Sequence, residues 1–183
     1  MTRQVLFVQG GGEGVHDAWD NKLVDSLGNE LGPGYAIRYP RMPNEADPGY
    51  AAWKAALEKE FGALEPDAIL VGHSIGATIL LNVLAERAPA HAIKGLFLIA
   101  APFIGRGGWA SHDFEPRPDL AARLPAGVPI FFYHGREDEI APLAHVELYA
   151  EALPGAQVRR LDGRDHQLNN DLSAVASDIR QLG

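Results

Sequence analysis

The chain has no cysteine among its 183 residues. This absence excludes disulfides, thiolate metal sites and a cysteine nucleophile, and it leaves the redox compartment open. The sequence also lacks the run of about 18 apolar residues that a membrane-spanning helix needs, and no signal peptide is recognisable at its N-terminus. We therefore expect no membrane partner and a cytoplasmic location.

Basic residues are scarce as well, since 16 Lys and Arg face 24 Asp and Glu for a formal net charge of −8. Such a chain repels a phosphate backbone, and no cluster of basic and aromatic residues offsets the repulsion. Nucleic acid is therefore not an expected partner. The length and a composition of 46% hydrophobic and 22% charged residues are typical of one globular domain, which we place at residues 1–183.

Six short runs rich in Val, Ile, Leu, Phe or Tyr alternate with segments of helical periodicity. The predicted strands lie near residues 3–9, 35–39, 67–72, 94–100, 128–134 and 156–161. Strict alternation predicts an α/β fold, a mostly parallel six-stranded sheet with helices on both faces. If the first strand lies centrally, the strand order is 2-1-3-4-5-6, and a ligand would bind beyond the carboxyl ends of strands one and three.

The most informative motif is the pentapeptide GHSIG at residues 72–76, which follows the apolar run 68–71 and precedes a helical stretch at 77–87. A G-x-S-x-G pattern between a strand and a helix is that of a nucleophile elbow. The glycines are needed because the sharp turn that exposes Ser74 leaves no room for side chains two residues away. The alternative is an ordinary glycine-rich turn whose serine caps the helix.

A serine is a poor nucleophile unless a histidine takes its proton and a carboxylate orients that histidine. Of the seven histidines, His166 alone lies after the last predicted strand and before the last helix, where such a base is needed. Asp138 lies in the turn after the fifth strand, in G-x-x-D-x-x-x-P spacing, with Glu137 and Glu139 as rivals by proximity. We expect Ser74, Asp138 and His166 to form a catalytic triad.

The other histidines lie on predicted loops or helices without that position, and we expect them to be hydrogen-bonded or solvated. His73 flanks the serine in the sequence. Because neighbouring residues on a sharp turn point apart, we expect His73 to pack beside the elbow rather than to act as the base.

Acyl transfer also needs N–H donors for the developing oxyanion. One candidate is the backbone N–H of Ile75 at the start of the nucleophile helix, where the helix dipole favours negative charge. The second is Gly11, in the glycine-rich loop 9–14 after the first strand. A plain structural turn is the alternative for this loop. The loop does not match a dinucleotide fingerprint, because Val15 stands where the third glycine should be. The chemistry predicted here requires neither a metal nor an organic cofactor, so we expect no cofactor and no metal.

The connection at residues 102–118 is longer than most loops and combines prolines and glycines with aromatic residues. Such a loop is either a lid or pocket wall, or its aromatic side chains plug the adjacent core. Phe103 and Trp109 from this loop, together with His16 and Trp19, are the candidates for a substrate pocket.

With these motifs the chain resembles the α/β-hydrolase superfamily over nearly its full length, in a minimal form without a large cap domain. Within it, the sequence is similar to small serine hydrolases related to the retinoblastoma-binding hydrolase. The supporting residues are Gln9-Gly10-Gly11-Gly12, Met42-Pro43 followed by Trp53 and Leu57, Gly72-His73-Ser74-Ile75-Gly76, Asp138 with Pro142, and His166. The chain departs from many esterases in having Gln9 rather than histidine before the loop glycines.

The resemblance implies a serine hydrolase, in particular a carboxylesterase that acts on small acyl esters through an acyl-enzyme. Its partner would be a small-molecule, ester-like substrate, although amidase, thioesterase and lactonase reactions use the same machinery. The alternative is a partner-binding or regulatory protein on a hydrolase scaffold with weak or no turnover, because a fold does not settle a function. No feature of the sequence indicates a protein partner.

Overall fold

The computed structural model describes residues 2–115 and 117–183, so that Met1 and Pro116, a residue of the 102–118 loop, lie outside the described residues. Its single sheet contains six strands: β1 Arg3–Val8, β2 Tyr35–Arg38, β3 Ala68–His73, β4 Ile93–Ile99, β5 Ile130–Gly135 and β6 Gln157–Leu161. The order is β2-β1-β3-β4-β5-β6, and every neighbouring pair is parallel. The strand order predicted from the sequence is therefore confirmed.

The helices are α1 Asp20–Leu31, α2 Tyr50–Phe61, α3 Ser74–Glu86, α4 Leu120–Arg123, α5 Ala144–Ala152 and α6 Ser173–Gln181. A π-helical turn at Val15–Trp19 precedes α1, and a 3₁₀ turn at Leu168–Asn170 precedes α6. Among the residues that the structure describes, no helix combines the length and apolar character needed to cross a membrane.

Two hydrophobic cores, one on each face of the sheet, hold the helices. Along β1, Leu6 and Val8 belong to one core, which α2, α3 and α5 cover, while Val5 and Phe7 belong to the other, which α1 and α6 cover. This division follows from strand geometry, because successive side chains point to opposite faces. The helices therefore lie on both sides, as predicted.

The central strand β3 is buried at every residue, which explains its unbroken apolar run, whereas the edge strand β2 alternates between half-buried and exposed positions. In α1 the spacing of Leu23, Leu27 and Leu31 places three buried leucines on one face. Burial thus fixes β1 and β3 side by side in the middle of the sheet, so that the loops at their carboxyl ends are neighbours.

The long connection between β4 and β5 forms a compact turn. Trp109 N–H donates to the Phe103 carbonyl at 2.8 Å, and residues 104 and 109 form an isolated bridge. Apart from α4, the described part of this connection contains no further helix or strand. The domain therefore has no large cap.

Candidate active site

Ser74 is the first residue of α3 and follows β3 directly, with a φ of 52° in the left-handed region that serine rarely adopts. A Cβ on Gly72 would lie 2.7 Å from Ala77 Cα, and one on Gly76 would lie 1.8 Å from the Gln9 carbonyl oxygen. Both positions therefore exclude a side chain. The motif stands in the strand–turn–helix context that a nucleophile elbow requires.

Ser74, His166 and Asp138 are joined in one line of hydrogen bonds. His166 Nε2 lies 2.9 Å from Ser74 Oγ, and His166 Nδ1 lies 2.7 Å from Asp138 Oδ2. With a proton on Nδ1 donated to the carboxylate, Nε2 presents a lone pair to the serine hydroxyl. The structure therefore brings together the three residues that the sequence analysis singled out, in an arrangement able to move the serine proton.

The side chain of Asp138 is fully buried, yet every hydrogen bond it makes favours the ionised form. Its Oδ1 accepts the backbone N–H groups of Ile140 and Ala141, each at 2.8 Å. Burial raises the pKa of Asp138, but the hydrogen bond and charge of His166 and these two amides outweigh burial and hold that pKa below 3.8. The rivals Glu137 and Glu139 are exposed.

A second histidine, His134, lies close to Asp138. His134 Nε2 donates to the Ala141 carbonyl at 2.7 Å and lies 3.4 Å from Asp138 Oδ2. Burial lowers the pKa of His134, so this ring is neutral. It supports the turn that carries Asp138 without adding a charge to the pair with His166.

The glycine-rich loop after β1 is held by Glu45. The Glu45 carboxylate accepts the backbone N–H groups of Gly14 and His16, each at 3.0 Å, and Nε2 of Gln9 at 2.7 Å. Its own carbonyl accepts the N–H of Gly12 at 2.6 Å. Glu45 thus fixes the loop conformation, a role that no sequence motif marks.

These contacts do not engage the backbone amide of Gly11. Gly10 N–H donates to Asp20 Oδ2 at 2.7 Å, and Gly12 N–H is bonded as described above. Gly11 N–H donates no hydrogen bond within residues 2–115 and 117–183. A Cβ on Gly11 would lie 2.9 Å from Ile75 Cγ2. The loop therefore sets Gly11 beside Ile75, in the first turn of α3, where amides have no acceptor within the helix.

A cavity of about 320 Å³ opens above Ser74 and His166. Its apolar walls include Val15, Trp19 and Ile140, of which Trp19 is 54% and Ile140 59% exposed. These two side chains therefore stand at the open side of the cavity. Sequence reasoning did not identify Ile140, because an exposed isoleucine in an acidic turn becomes informative only when the turn is known to lie over the elbow.

Of the four pocket candidates, Trp19 alone lines this cavity. The ring of His16 stacks on Tyr39 with centroids 4.1 Å apart, and its Nδ1 is bonded to Asp17. The π-helical turn that includes both candidates therefore presents Trp19 to the cavity and engages His16 with its neighbours.

Phe103 and Trp109 pack around α5 instead. The Phe103 ring lies 5.0 Å from that of Tyr149 in an edge-on contact, and its backbone N–H donates to His145 Nδ1 at 2.7 Å. The Trp109 ring lies 5.3 Å from the His145 ring. Phe103 and Trp109 thus pack on α5 and do not line the cavity.

Beside Ser74, His166 and Asp138 lies a second aspartate–histidine pair, Asp20 and His73, which are 0% and 1% exposed. His73 Nδ1 lies 2.9 Å from Asp20 Oδ2, and His73 Nε2 lies 3.0 Å from the backbone carbonyl oxygen of His166. Asp20 Oδ1 accepts Gln167 Nε2 at 3.1 Å. No sequence pattern marks this role of Asp20, because an acidic residue at a helix start is ordinarily explained by the helix dipole.

In the part of the chain that the structure describes, no group of three or more His, Asp or Glu side chains is arranged to hold a metal ion. The polar side chains among the residues that line the cavity are those of Ser74, His166, His73 and Gln167. This set is suited to nucleophilic attack with proton transfer.

A family model described as "Alpha/beta hydrolase family" matches residues 5–180. No curated protein matches the sequence. Among solved structures, the ydeN gene product of Bacillus subtilis is 19% identical with a TM-score of 0.77, and the match covers 99% of this chain and 98% of that one. A monoacylglycerol lipase from Paleococcus ferrophilus is 15% identical with a TM-score of 0.70, covering 100% and 96%. An esterase domain from Rhodothermus marinus is 18% identical with a TM-score of 0.65, covering 99% and 88%.

Proposed function

Because the chain belongs to the alpha/beta hydrolase family, we propose that it is a serine hydrolase whose catalytic triad is Ser74, His166 and Asp138. The reaction we assign to it is carboxylic ester hydrolysis. The observation that carries this proposal is the line of hydrogen bonds from Ser74 Oγ to His166 at 2.9 Å and from His166 to Asp138 at 2.7 Å.

In the first half of the reaction, Ser74 Oγ attacks the ester carbonyl carbon while His166 Nε2 takes the hydroxyl proton. The Asp138 carboxylate stabilises the imidazolium that forms. The carbonyl oxygen becomes an oxyanion, which accepts the N–H groups of Gly11 and Ile75. The loss of one such donor costs roughly a hundred- to a thousandfold in rate.

In the second half, His166 gives its proton to the leaving alcohol oxygen as the carbon–oxygen bond breaks, which leaves an acyl group on Ser74. Water then attacks this acyl-enzyme, and His166 takes the water proton. The proton returns to Ser74 Oγ when the carboxylic acid leaves. These steps use only side chains and amides of the chain.

The cavity supports an acyl ester of modest size as the substrate. Its volume is about 320 Å³, and Trp19 and Ile140 give its open side an apolar surface. Esterase and monoacylglycerol lipase are names of structural neighbours below 25% identity, which share the fold.

We also propose that the chain belongs with the small serine hydrolases related to the retinoblastoma-binding hydrolase. Met42, Pro43 and Trp53, which are among the residues that support this resemblance, lie next to the glycine-rich loop. Trp53 Nε1 donates to the Pro43 carbonyl at 2.8 Å, and Met42 N–H donates to Gln9 Oε1 at 2.9 Å. The motif thus supports Gln9, the residue that stands where many esterases have histidine.

Labelling with a fluorophosphonate probe tests the proposal. The parent chain should be labelled, whereas Ser74→Ala should not, because the probe reacts with an activated serine. Ser177→Ala, which removes a hydroxyl on α6, is the matched control and should be labelled like the parent. Equal labelling of Ser74→Ala and the parent would remove Ser74 as the nucleophile.

A panel of short-chain aryl esters separates this proposal from the partner-binding alternative. If the parent chain hydrolyses these esters and Ser74→Ala does not, the result supports the serine hydrolase proposal. No turnover, together with a stable partner in a pull-down, favours a binding protein on the same scaffold.

The cytoplasmic location expected from the sequence stays a prediction.

A further inference from the structure

Both ring nitrogens of His73 face groups that only accept hydrogen bonds. Nδ1 lies 2.9 Å from the Asp20 carboxylate, and Nε2 lies 3.0 Å from the His166 carbonyl oxygen. A neutral imidazole has a single N–H and satisfies one of these acceptors, whereas an imidazolium satisfies both. With Asp20 ionised, both acceptors are satisfied only when each nitrogen of this buried ring carries a proton.

Asp20 is surrounded by donors that keep it ionised. Besides His73, it accepts the Gly10 backbone N–H at 2.7 Å and Gln167 Nε2 at 3.1 Å. Burial raises the pKa of Asp20, but the charge and hydrogen bond of His73 and these two donors outweigh burial and hold the pKa below 3.8. The negative partner of the pair is thus present across the neutral range.

The same contacts favour the charged form of His73. Burial lowers its pKa, but the charge and hydrogen bond of Asp20, together with the His166 carbonyl, outweigh burial and raise the pKa above 6.5, and Asp138 adds to this. The His166 ring, with its centroid 5.1 Å away, is the other titratable group beside it.

The pair contacts three segments that carry or adjoin candidate catalytic groups. His73 itself precedes Ser74, and its ring holds the backbone of His166. Asp20 holds Gly10, the neighbour of the oxyanion donor, and Gln167, the neighbour of the base. These three segments, around Gly10, His73 and Gln167, lie far apart in the sequence and meet at the buried Asp20 carboxylate.

We infer that Asp20 and His73 are positioning residues of the hydrolase site. They form an ion pair that fixes two parts of the site, the His166 backbone beside the elbow and the Gly10 end of the glycine-rich loop. The catalytic consequence rests on the proposed function, whereas the double protonation of His73 does not. Since a displacement of about 1 Å in a catalytic group can cost a hundredfold in rate, loss of the pair should lower kcat. KM should change little, because the apolar cavity walls are unaffected.

The protonation of His73 is tested by ¹⁵N NMR of the histidine rings in the full chain, with His73→Gln used for assignment. At about pH 7.5, where an ordinary histidine is mostly neutral, His73 should carry protons on both nitrogens. Asp20→Asn should convert it to a ring with a single N–H. A parent protein whose His73 ring is neutral at this pH would overturn the imidazolium.

The positioning role is tested by the kinetics of Asp20→Asn and His73→Gln on a short-chain aryl ester. Each should lower kcat by roughly 10- to 100-fold and change KM by less than about threefold. The double variant should lose no more than the worse single variant, because the two residues act as a unit. Folded variants with the kcat of the parent would overturn the inference.

Asp178→Asn is the matched control, because Asp178 is also a buried aspartate with a cationic partner. It accepts the Tyr133 hydroxyl at 2.6 Å and Arg159 at 3.0 Å, and it does not line the cavity. This variant should lower Tm and leave kcat unchanged. If Asp178→Asn lowers kcat as much as Asp20→Asn does, the effect of Asp20 is one of general stability and the inference is wrong.

A readout independent of turnover separates this inference from the proposed function. The proton between His166 and Asp138 should give a downfield ¹H resonance that Asp138→Asn abolishes. In Asp20→Asn and His73→Gln that resonance should shift or broaden, whereas in Asp178→Asn it should not. If this resonance does not move in Asp20→Asn and His73→Gln, the positioning role is wrong, whether or not the parent is active. If instead the parent neither hydrolyses esters nor reacts with the fluorophosphonate probe, the proposed function alone is wrong.

Discussion

Two aspartate–histidine pairs lie side by side in this protein, with the rings of His166 and His73 only 5.1 Å apart. They differ in what faces the second ring nitrogen. His166 Nε2 faces the Ser74 hydroxyl, whereas His73 Nε2 faces a backbone carbonyl. A hydroxyl can give up a proton and a carbonyl has none to give. An aspartate beside a histidine is therefore not enough to define a base, because the opposite partner decides whether the ring can take a proton from a nucleophile.

The aspartates of the two pairs are also anchored differently. Asp138 is held by the amides of Ile140 and Ala141 from its own turn. Asp20 is held by Gly10 and Gln167, which lie 10 and 147 residues away in the sequence. The first carboxylate is thus fixed by a local turn, whereas the second depends on the tertiary fold and in turn stabilises it.

The largest expected contrast is between Asp138→Asn and Asp20→Asn. Asp138→Asn should lower kcat by roughly 10⁴-fold, because the amide no longer fixes the tautomer of His166 or stabilises its charge. Asp20→Asn should cost at most about a hundredth of that loss. Steady-state kinetics on an aryl ester measure both.

The exposed neighbours Glu137 and Glu139 provide the controls for this experiment, as Glu137→Gln and Glu139→Gln. Each should retain nearly the parental kcat. If Asp138→Asn kept that activity while Glu137→Gln lost it, the acid of the triad would be Glu137, and the contrast between the two pairs would disappear.

The next contrast is the pH dependence of stability that the Asp20–His73 pair contributes. Because the pKa of His73 is raised above 6.5, its contribution is full below 6.5 and is lost as the pH rises through the raised value. Because the pKa of Asp20 is lowered below 3.8, its contribution is full above 3.8 and is lost as the pH falls through the lowered value. The contribution of the pair to the free energy of unfolding should therefore be largest between about pH 3.8 and pH 6.5.

Urea unfolding of the parent and His73→Gln at several pH values measures this contribution. The difference in the free energy of unfolding should reach about 3 kcal/mol in that window, the low end for breaking a buried pair. It should decrease at alkaline pH. A difference that is constant from pH 5 to about pH 10 would show that His73 does not carry a proton in excess of the unfolded chain.

The smallest expected effect is that of Gln167→Ala. This change removes one of the donors to Asp20 and leaves His73 and Gly10 in place. The loss of this one donor should lower kcat by only roughly two- to tenfold, because Asp20 keeps its hydrogen bonds to His73 and Gly10 and the displacement of the catalytic groups is small. Gln181→Ala, on the exposed surface of α6, should leave kcat unchanged. A loss as large as that of Asp20→Asn would indicate that Gln167 acts on the substrate directly.

The fold and the triad geometry could be anticipated because their signals are local. Each strand is a short apolar run, and the predicted strand 67–72 differs by one residue at each end from β3 Ala68–His73. Ser74 follows β3 directly, and Asp138 and His166 lie in the turns that follow β5 and β6. Since parallel strands bring their carboxyl ends to one edge of the sheet, three local positions sufficed to predict one site.

The supporting residues could not be anticipated because their contacts are not local. Asp20 meets His73 across 53 residues, and Glu45 meets Gln9 across 36. No spacing marks either carboxylate, since acidic residues at a helix start or in a loop are usually solvated. The aromatic character of Phe103 and Trp109 makes them candidates for a substrate pocket. An aromatic side chain packs on the nearest apolar surface, however, and for these two residues that surface is α5.

The position of Trp19 gives the protein a built-in optical reporter. The chain has three tryptophans, of which Trp53 is fully buried and Trp109 lies outside the cavity. Trp19 combines 54% exposure with a place in the cavity wall. A compound that enters the cavity displaces water from this indole and shifts its fluorescence towards the blue, while the emission of Trp53 reports whether the fold is intact. Ligands can therefore be screened by titration of the unlabelled chain, before any reaction product is known.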